Sequence, residues 1–133
     1  MALERINPDS IADPVKNLYS QVVVSTGEKM VHVAGMTSRD PEGTVVGETY
    51  EEQIEVTLTN VEEALAAADA TPQDVARQTI FALDCDAFVE EAYPHVVEFY
   101  GENNLPASAL IGADNLAHPD YLLELEVTAV VEE

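Results

Sequence analysis

The stretch from Leu123 to Val131 alternates with a period of two: Leu123, Leu125, Val127, Ala129 and Val131 fall on one parity, Glu124, Glu126 and Thr128 on the other. Successive side chains of a strand point to opposite faces, so this pattern predicts a strand over 122–131 with one face against a core. It requires something apolar to cover that face. The segment from Thr49 supplies it. Thr49 and Glu52 have the spacing of a capping box, and Ile54, Leu58, Val61, Leu65 and Ala68 then recur at helical intervals. One half-buried strand and one amphipathic helix already exclude an all-α or an all-β chain.

The other elements follow from local chemistry. Residues up to about Leu18 carry Pro8 and Pro14 and read as an irregular arm or short edge strand. Gln21 to Ala34 reads as a β-hairpin turning at Thr26-Gly27-Glu28-Lys29, with His32 on a sheet face. Gly35 to Gly47 is loop-like. Thr71-Pro72-Gln73-Asp74 starts a short helical turn, and Arg77 to Leu83 is a strand. A second helix is capped by Asp84 or Asp86, with Phe88, Ala92, Val96 and Phe99 on its apolar face. Pro94 predicts a break near Tyr93, because proline removes a donor and clashes with the preceding turn. Asn103 to Gly112 enters a short strand through Pro106. The order is ββαβαββ: an α+β domain spanning 1–133, with a single mixed sheet and two long helices on one face.

Charge narrows the partners. The chain of 133 residues has 26 acidic against 5 basic side chains, a net charge of -21 spread along its length. Such a surface repels phosphate backbones, so nucleic acid is an unfavourable partner. Apolar periodicity argues against disorder, and solubility in a high-salt cytosol is the remaining reading of the charge. No run has the length and apolarity of a membrane span, and the first residues lack the pattern of a secretory signal, so a cytoplasmic protein without membrane partners is expected. Cys85 is the single cysteine and sits between Asp84 and Asp86, which disfavour its thiolate. With one cysteine and His32, His95 and His118 far apart, neither a metal site nor a cofactor is expected. Glu124 and Glu126 are the one concentrated carboxylate pair, about 7 Å apart by strand geometry. By themselves they fit a wet sheet face better than an acid/base dyad.

The order of motifs resembles the RidA/YjgF/YER057c/UK114 family, also described as L-PSP endoribonuclease-like. The matching residues are Tyr19-Ser20-Gln21, Val31-x-Val33-x-Gly35, Asp40-Pro41-x-Gly43, Val46-Gly47, Gln53, Asn60-Val61, Thr79-x-Phe81, Asp84, Phe88, Pro106-Ala107 and Leu123-Glu124-Leu125-Glu126. The resemblance implies a chorismate-mutase-like fold, a homotrimer with small-molecule clefts between subunits, and hydrolysis of reactive enamines and imines such as 2-aminoacrylate. It assigns water positioning to Glu124 and substrate binding to Tyr19, Gly35, Ala107 and the residue after it. In the family that residue is an arginine, a fixed bidentate cation for the substrate carboxylate. Here it is Ser108, which can form hydrogen bonds but cannot neutralise an anion. The chain therefore resembles an arginine-less branch, and Asn17-Leu18 stand where Gly-Pro usually precedes the tyrosine. Three readings stay open: an imine hydrolase for a neutral or weakly charged metabolite, a 2-imino-acid deaminase with Arg39 as substitute cation, and a non-enzymatic ligand-binding trimer. Ribonuclease activity is disfavoured by the charge.

Overall fold

The computed structural model describes residues 2–132. Its elements are β1 (Ala2–Ile6), β2 (Val22–Thr26), β3 (Lys29–Met36), α1 (Tyr50–Ala66), β4 (Val75–Ala82), α2 (Cys85–Glu91), α3 (Tyr93–Tyr100), β5 (Ala107–Gly112) and β6 (Leu123–Val131). Four strands form the main sheet in the order β3-β6-β4-β5, with β6 antiparallel to both neighbours and β5 parallel to β4. The parallel pair is joined by the α2–α3 crossover, as parallel neighbours require.

The expected alternation holds in β6. Leu123, Leu125, Val127 and Ala129 are buried, and they face α1 together with Ile80 and Ala82 of β4. Ile54, Val61 and Leu65 of α1 have no exposed surface, and Phe88 and Val96 close the core from α2 and α3. Each such side chain contributes about 1.5–3 kcal/mol by leaving water. The start of α1 forms the anticipated capping box: the Glu52 amide donates to Thr49 Oγ1 at 3.1 Å, and the Glu52 carboxylate accepts the Thr49 amide at 3.3 Å. The Glu48 amide joins at 2.8 Å, and these bonds hold the Glu52 carboxyl below its usual range. The second helix breaks where Pro94 requires, at Ala92, into α2 and α3.

Two expectations are corrected. The Gln21–Ala34 segment is not a self-paired hairpin. β2 pairs with β1, from Ala2↔Thr26 to Ile6↔Val22, whereas β3 pairs with β6. The turn between them explains the divergence. Gly27 packs so tightly on the end of β6 that a Cβ there would lie 2.7 Å from Val130 Cγ1, and the Glu28 amide donates to the Val131 carbonyl. Anchored there, β2 leaves the edge of β3 and touches β4 and β6 instead. The second correction follows: the strands form a four-stranded mixed sheet and a separate two-stranded one, not a single sheet. Of the two readings of the amino-terminal arm, the short edge strand is the one found, as β1.

Candidate functional site

Strand parity distributes the candidate residues over two faces and two edges of the main sheet. On β5, Ser108 is in register with Gln78, and Leu110 with Ile80. Ser108 therefore lies on the helix side. Its hydroxyl is 3.4 Å from the Tyr93 hydroxyl, which accepts a hydrogen bond from Gln78 Nε2 at 3.5 Å; Gln78 Oε1 in turn accepts from the Tyr100 hydroxyl at 2.9 Å. Burial pushes both tyrosine pKa values upward, so the chain of hydroxyls and amide stays uncharged at neutral pH. Tyr93, Gln78 and Tyr100 were missed from the sequence. A polar residue two positions before Ile80, on the core parity of its strand, is the signal that could have exposed Gln78.

Tyr19 is carried to the same edge by Ser20. The Ser20 amide donates to the Pro106 carbonyl at 3.1 Å, its hydroxyl donates to the Leu105 carbonyl at 2.6 Å, and Ser20 bridges to Ala107. Tyr19 and Ser108 thus line one cleft of about 270 Å³ with Val15, Leu18, Val89, Tyr93 and Leu110. Its walls are apolar apart from three hydroxyls. Ala107 adjoins it on the opposite parity of β5.

Gly35 and Glu124 form a second pair, on β3 and β6. The Glu124 carboxylate lies directly across the Gly35 backbone: a Cβ at position 35 would come 1.9 Å from Glu124 Oε2. Only glycine leaves room for it. Burial, reinforced by the nearby Glu126 charge, raises the Glu124 pKa above 4.5, giving a carboxylate of increased proton affinity. Glu126, two residues on, is exposed on the same open face beside His32, Arg77, Thr79 and Thr128, which border a shallow cleft of about 300 Å³.

The two pairs do not meet within one chain. Ser108 is on the β5 edge and Gly35 on the β3 edge, three strand spacings or roughly 14 Å apart. Arg39 joins neither pair. It is exposed beyond β3, its backbone bridged to Val45 and its carbonyl accepting from Asn60 Nδ2. The histidines are occupied separately, His32 with Thr128, His95 with Glu51 and His118 with the Asp120 amide. Among the described residues no group of three histidine, cysteine or carboxylate side chains is placed to hold a metal ion.

Comparison with known proteins decides the family. The family model described as Endoribonuclease L-PSP matches residues 10–131, almost the whole chain. The chain belongs to the RidA/YjgF family. A RutC family protein of Pyrococcus abyssi is 31% identical over 135 residues, covering 99% of this chain and 100% of that protein. Among solved structures, the Rid family protein YyfB of Yersinia pestis, whose function is unknown, is 29% identical with a TM-score of 0.91 over 98% of this chain and all of its own. A YjgF/YER057c/UK114 family member from Mycobacterium tuberculosis is 30% identical with a TM-score of 0.65, covering 85% of this chain and 86% of that one. These RidA/YjgF relatives fix the fold as the α+β arrangement expected. No helix among the described residues is long and apolar enough to cross a membrane.

Proposed function

We propose that this RidA/YjgF chain works as a cytoplasmic homotrimer that hydrolyses a neutral imine or enamine in a cleft between subunits. One subunit supplies Glu124 and Gly35; its neighbour supplies Tyr19, Ala107 and Ser108. The observation that carries the reading is the Glu124 carboxylate laid over Gly35 with its proton affinity raised. A carboxylate so held can orient a water and accept its proton.

In the reaction, the water oxygen bonds to the imine carbon, the C=N π electrons move to nitrogen, and the proton taken by Glu124 is returned there. Glu124 then takes the hydroxyl proton of the carbinolamine and passes it to nitrogen, so that the C=O bond forms as the C–N bond breaks and ammonia or an amine leaves. The Gly35 amide and the Ser108 hydroxyl are the hydrogen-bond donors that orient the substrate. The absence of any arginine or lysine among the residues lining the Tyr19–Ser108 cleft favours a substrate without a carboxylate. It weighs against the imino-acid deaminase. Ribonuclease chemistry is weaker still, because the three histidines are dispersed and the net charge is -21.

Two imine sources test this. An amine oxidase supplies neutral imines and an amino-acid oxidase supplies 2-imino acids, with ammonia release followed in each. The wild type should accelerate only the first, Glu124→Gln should lose it by about a hundredfold or more, and Ser108→Arg should gain activity on the second. Acceleration of neither imine by the wild type contradicts hydrolysis and leaves ligand binding as the function.

A further inference from the structure

Tyr19 also lines a different cleft, of about 330 Å³, which the proposed hydrolysis does not use. Its chemistry differs sharply from the apolar cleft at Ser108. Arg5, Asn17, Asn103 and Glu102 contribute to its wall, with Asn7 and Ser20 beside them. Arg5 comes from β1, paired with Val23, and its Nη2 makes one long hydrogen bond, 3.4 Å, to the Gln73 carbonyl. Its Nε is buried and makes no hydrogen bond. Nor does any carboxylate among the described residues pair with it, although the chain has 26 acidic residues and 5 basic ones.

The Nε is an unmet donor closed off inside the wall, and the rest of the guanidinium, whose Nη2 makes the one long bond to Gln73, has no anionic partner and can answer a ligand oxygen. The amides face the same space. Asn7 spends its oxygen on the Gln21 amide at 2.8 Å, which leaves its NH₂ group as a donor, and the side chains of Asn17 and Asn103 take no hydrogen bond among the described residues. Lys16 and Asn17 hold left-handed backbone conformations, φ 52° and 57°, uncommon for residues with a Cβ. An adjoining cleft shares Asn17, Glu102 and Asn103 and adds Lys16 together with the apolar Leu18 and Val97.

Two observations select the ligand class. A chain of net charge -21 repels a simple anion at long range, whereas a molecule with no net charge meets no such penalty. Glu102 in the same wall disfavours a bare anion and suits a cation beside one. We propose that this cleft binds a small zwitterion carrying a carboxylate and an ammonium on one carbon, of which a free α-amino acid is the simplest, with Arg5 and the asparagine amides holding the carboxylate and Glu102 the ammonium. The guanidinium fork gives the carboxylate two parallel hydrogen bonds. The site stands independently of the hydrolase reading, since it shares only Tyr19 with that cleft.

Titration of the isotopically labelled full chain with L-alanine, propionate and ethylamine, followed by NMR, tests it without any assay of activity. L-alanine should shift resonances of Tyr19, Asn17 and Asn103 and bind at least about tenfold more tightly than either analogue, which each lack one charge. Arg5→Gln should weaken alanine binding by a similar factor while leaving the melting temperature near that of the wild type. Glu102→Gln should bring alanine down to the level of propionate. No shift with millimolar alanine, equal affinity for propionate, or unchanged binding by Arg5→Gln would each overturn the proposal.

Discussion

The two faces of the four-stranded sheet are built from the same strands and differ only in parity, yet they have opposite chemistry. Toward the helices, β6 presents Leu123, Leu125, Val127 and Ala129, and the polar group among their neighbours on β4, Gln78, is bonded at both ends of its amide. Toward the other side the same strands present Glu124, Glu126, Thr128, His32, Arg77 and Thr79, interspersed with Met30, which is 64% exposed, and Ile111, 44% exposed. One face is finished within a single chain. The open face combines large exposed apolar side chains with a carboxylate of raised proton affinity, a combination that fits a surface completed by neighbouring subunits.

Truncation should separate the faces most strongly. Phe88→Ala, which empties a fully buried site, should destabilise the fold by about 3–5 kcal/mol, read as a lower denaturant midpoint at unchanged slope. Ile111→Ser on the open face should leave chemical denaturation of the isolated subunit within about 0.5 kcal/mol and act instead on sedimentation, by weakening assembly. Equal effects on denaturation would erase the distinction between the faces.

Gly35→Ala sharpens the contrast next. The new methyl would occupy the space of Glu124 Oε2, displacing the carboxylate and lowering hydrolysis by about a hundredfold with little loss of stability. Wild-type turnover in Gly35→Ala would detach Glu124 from the chemistry. On the helix side, Gln78→Leu leaves the buried Tyr100 hydroxyl without its acceptor, so a loss of about 1–3 kcal/mol is expected, again from denaturant midpoints.

The smallest effect concerns pH. The folded-state pKa of Glu124 is raised above 4.5, so the folded chain holds this proton more tightly than the unfolded one. Its contribution to stability is therefore fully present below the unfolded value and declines as pH rises through the folded pKa. Relative to the wild type, Glu124→Gln should gain melting temperature across that window and show no such gain below it. A constant difference at all pH values would mean that the carboxyl is not perturbed.

How much of this was legible in the sequence depends on how local its cause is. The cap at Thr49, the break at Pro94 and the alternation of β6 are consequences of residues within a turn or two, and all are found where expected. The partner of β2 is not a local matter. Its apolar run suits pairing with either β1 or β3, and the choice is made by Gly27 packing on Val130, more than a hundred residues away. The candidate site divides in the same way. Tyr19, Gly35, Ala107, Ser108 and Glu124 could be placed by resemblance, but their separation into two pairs comes from strand order. Ser108 looked like a bare substitution for arginine; the structure ties its hydroxyl to Tyr93 and a buried polar chain. Arg5, in a stretch read as an irregular arm or short edge strand, gains significance only from what surrounds it.

The central claim, that Glu124 of one subunit serves Tyr19 of another, is most directly tested by mixing two inactive variants. Glu124→Gln and Tyr19→Ala are unfolded together in equal amounts, refolded, and assayed for neutral imine hydrolysis. Random assembly of trimers leaves about one cleft in four with both native residues, so activity should return to about a quarter of the wild-type value. A mixture that stays as inactive as its parents, while mixed trimers are demonstrably present, would contradict a shared site.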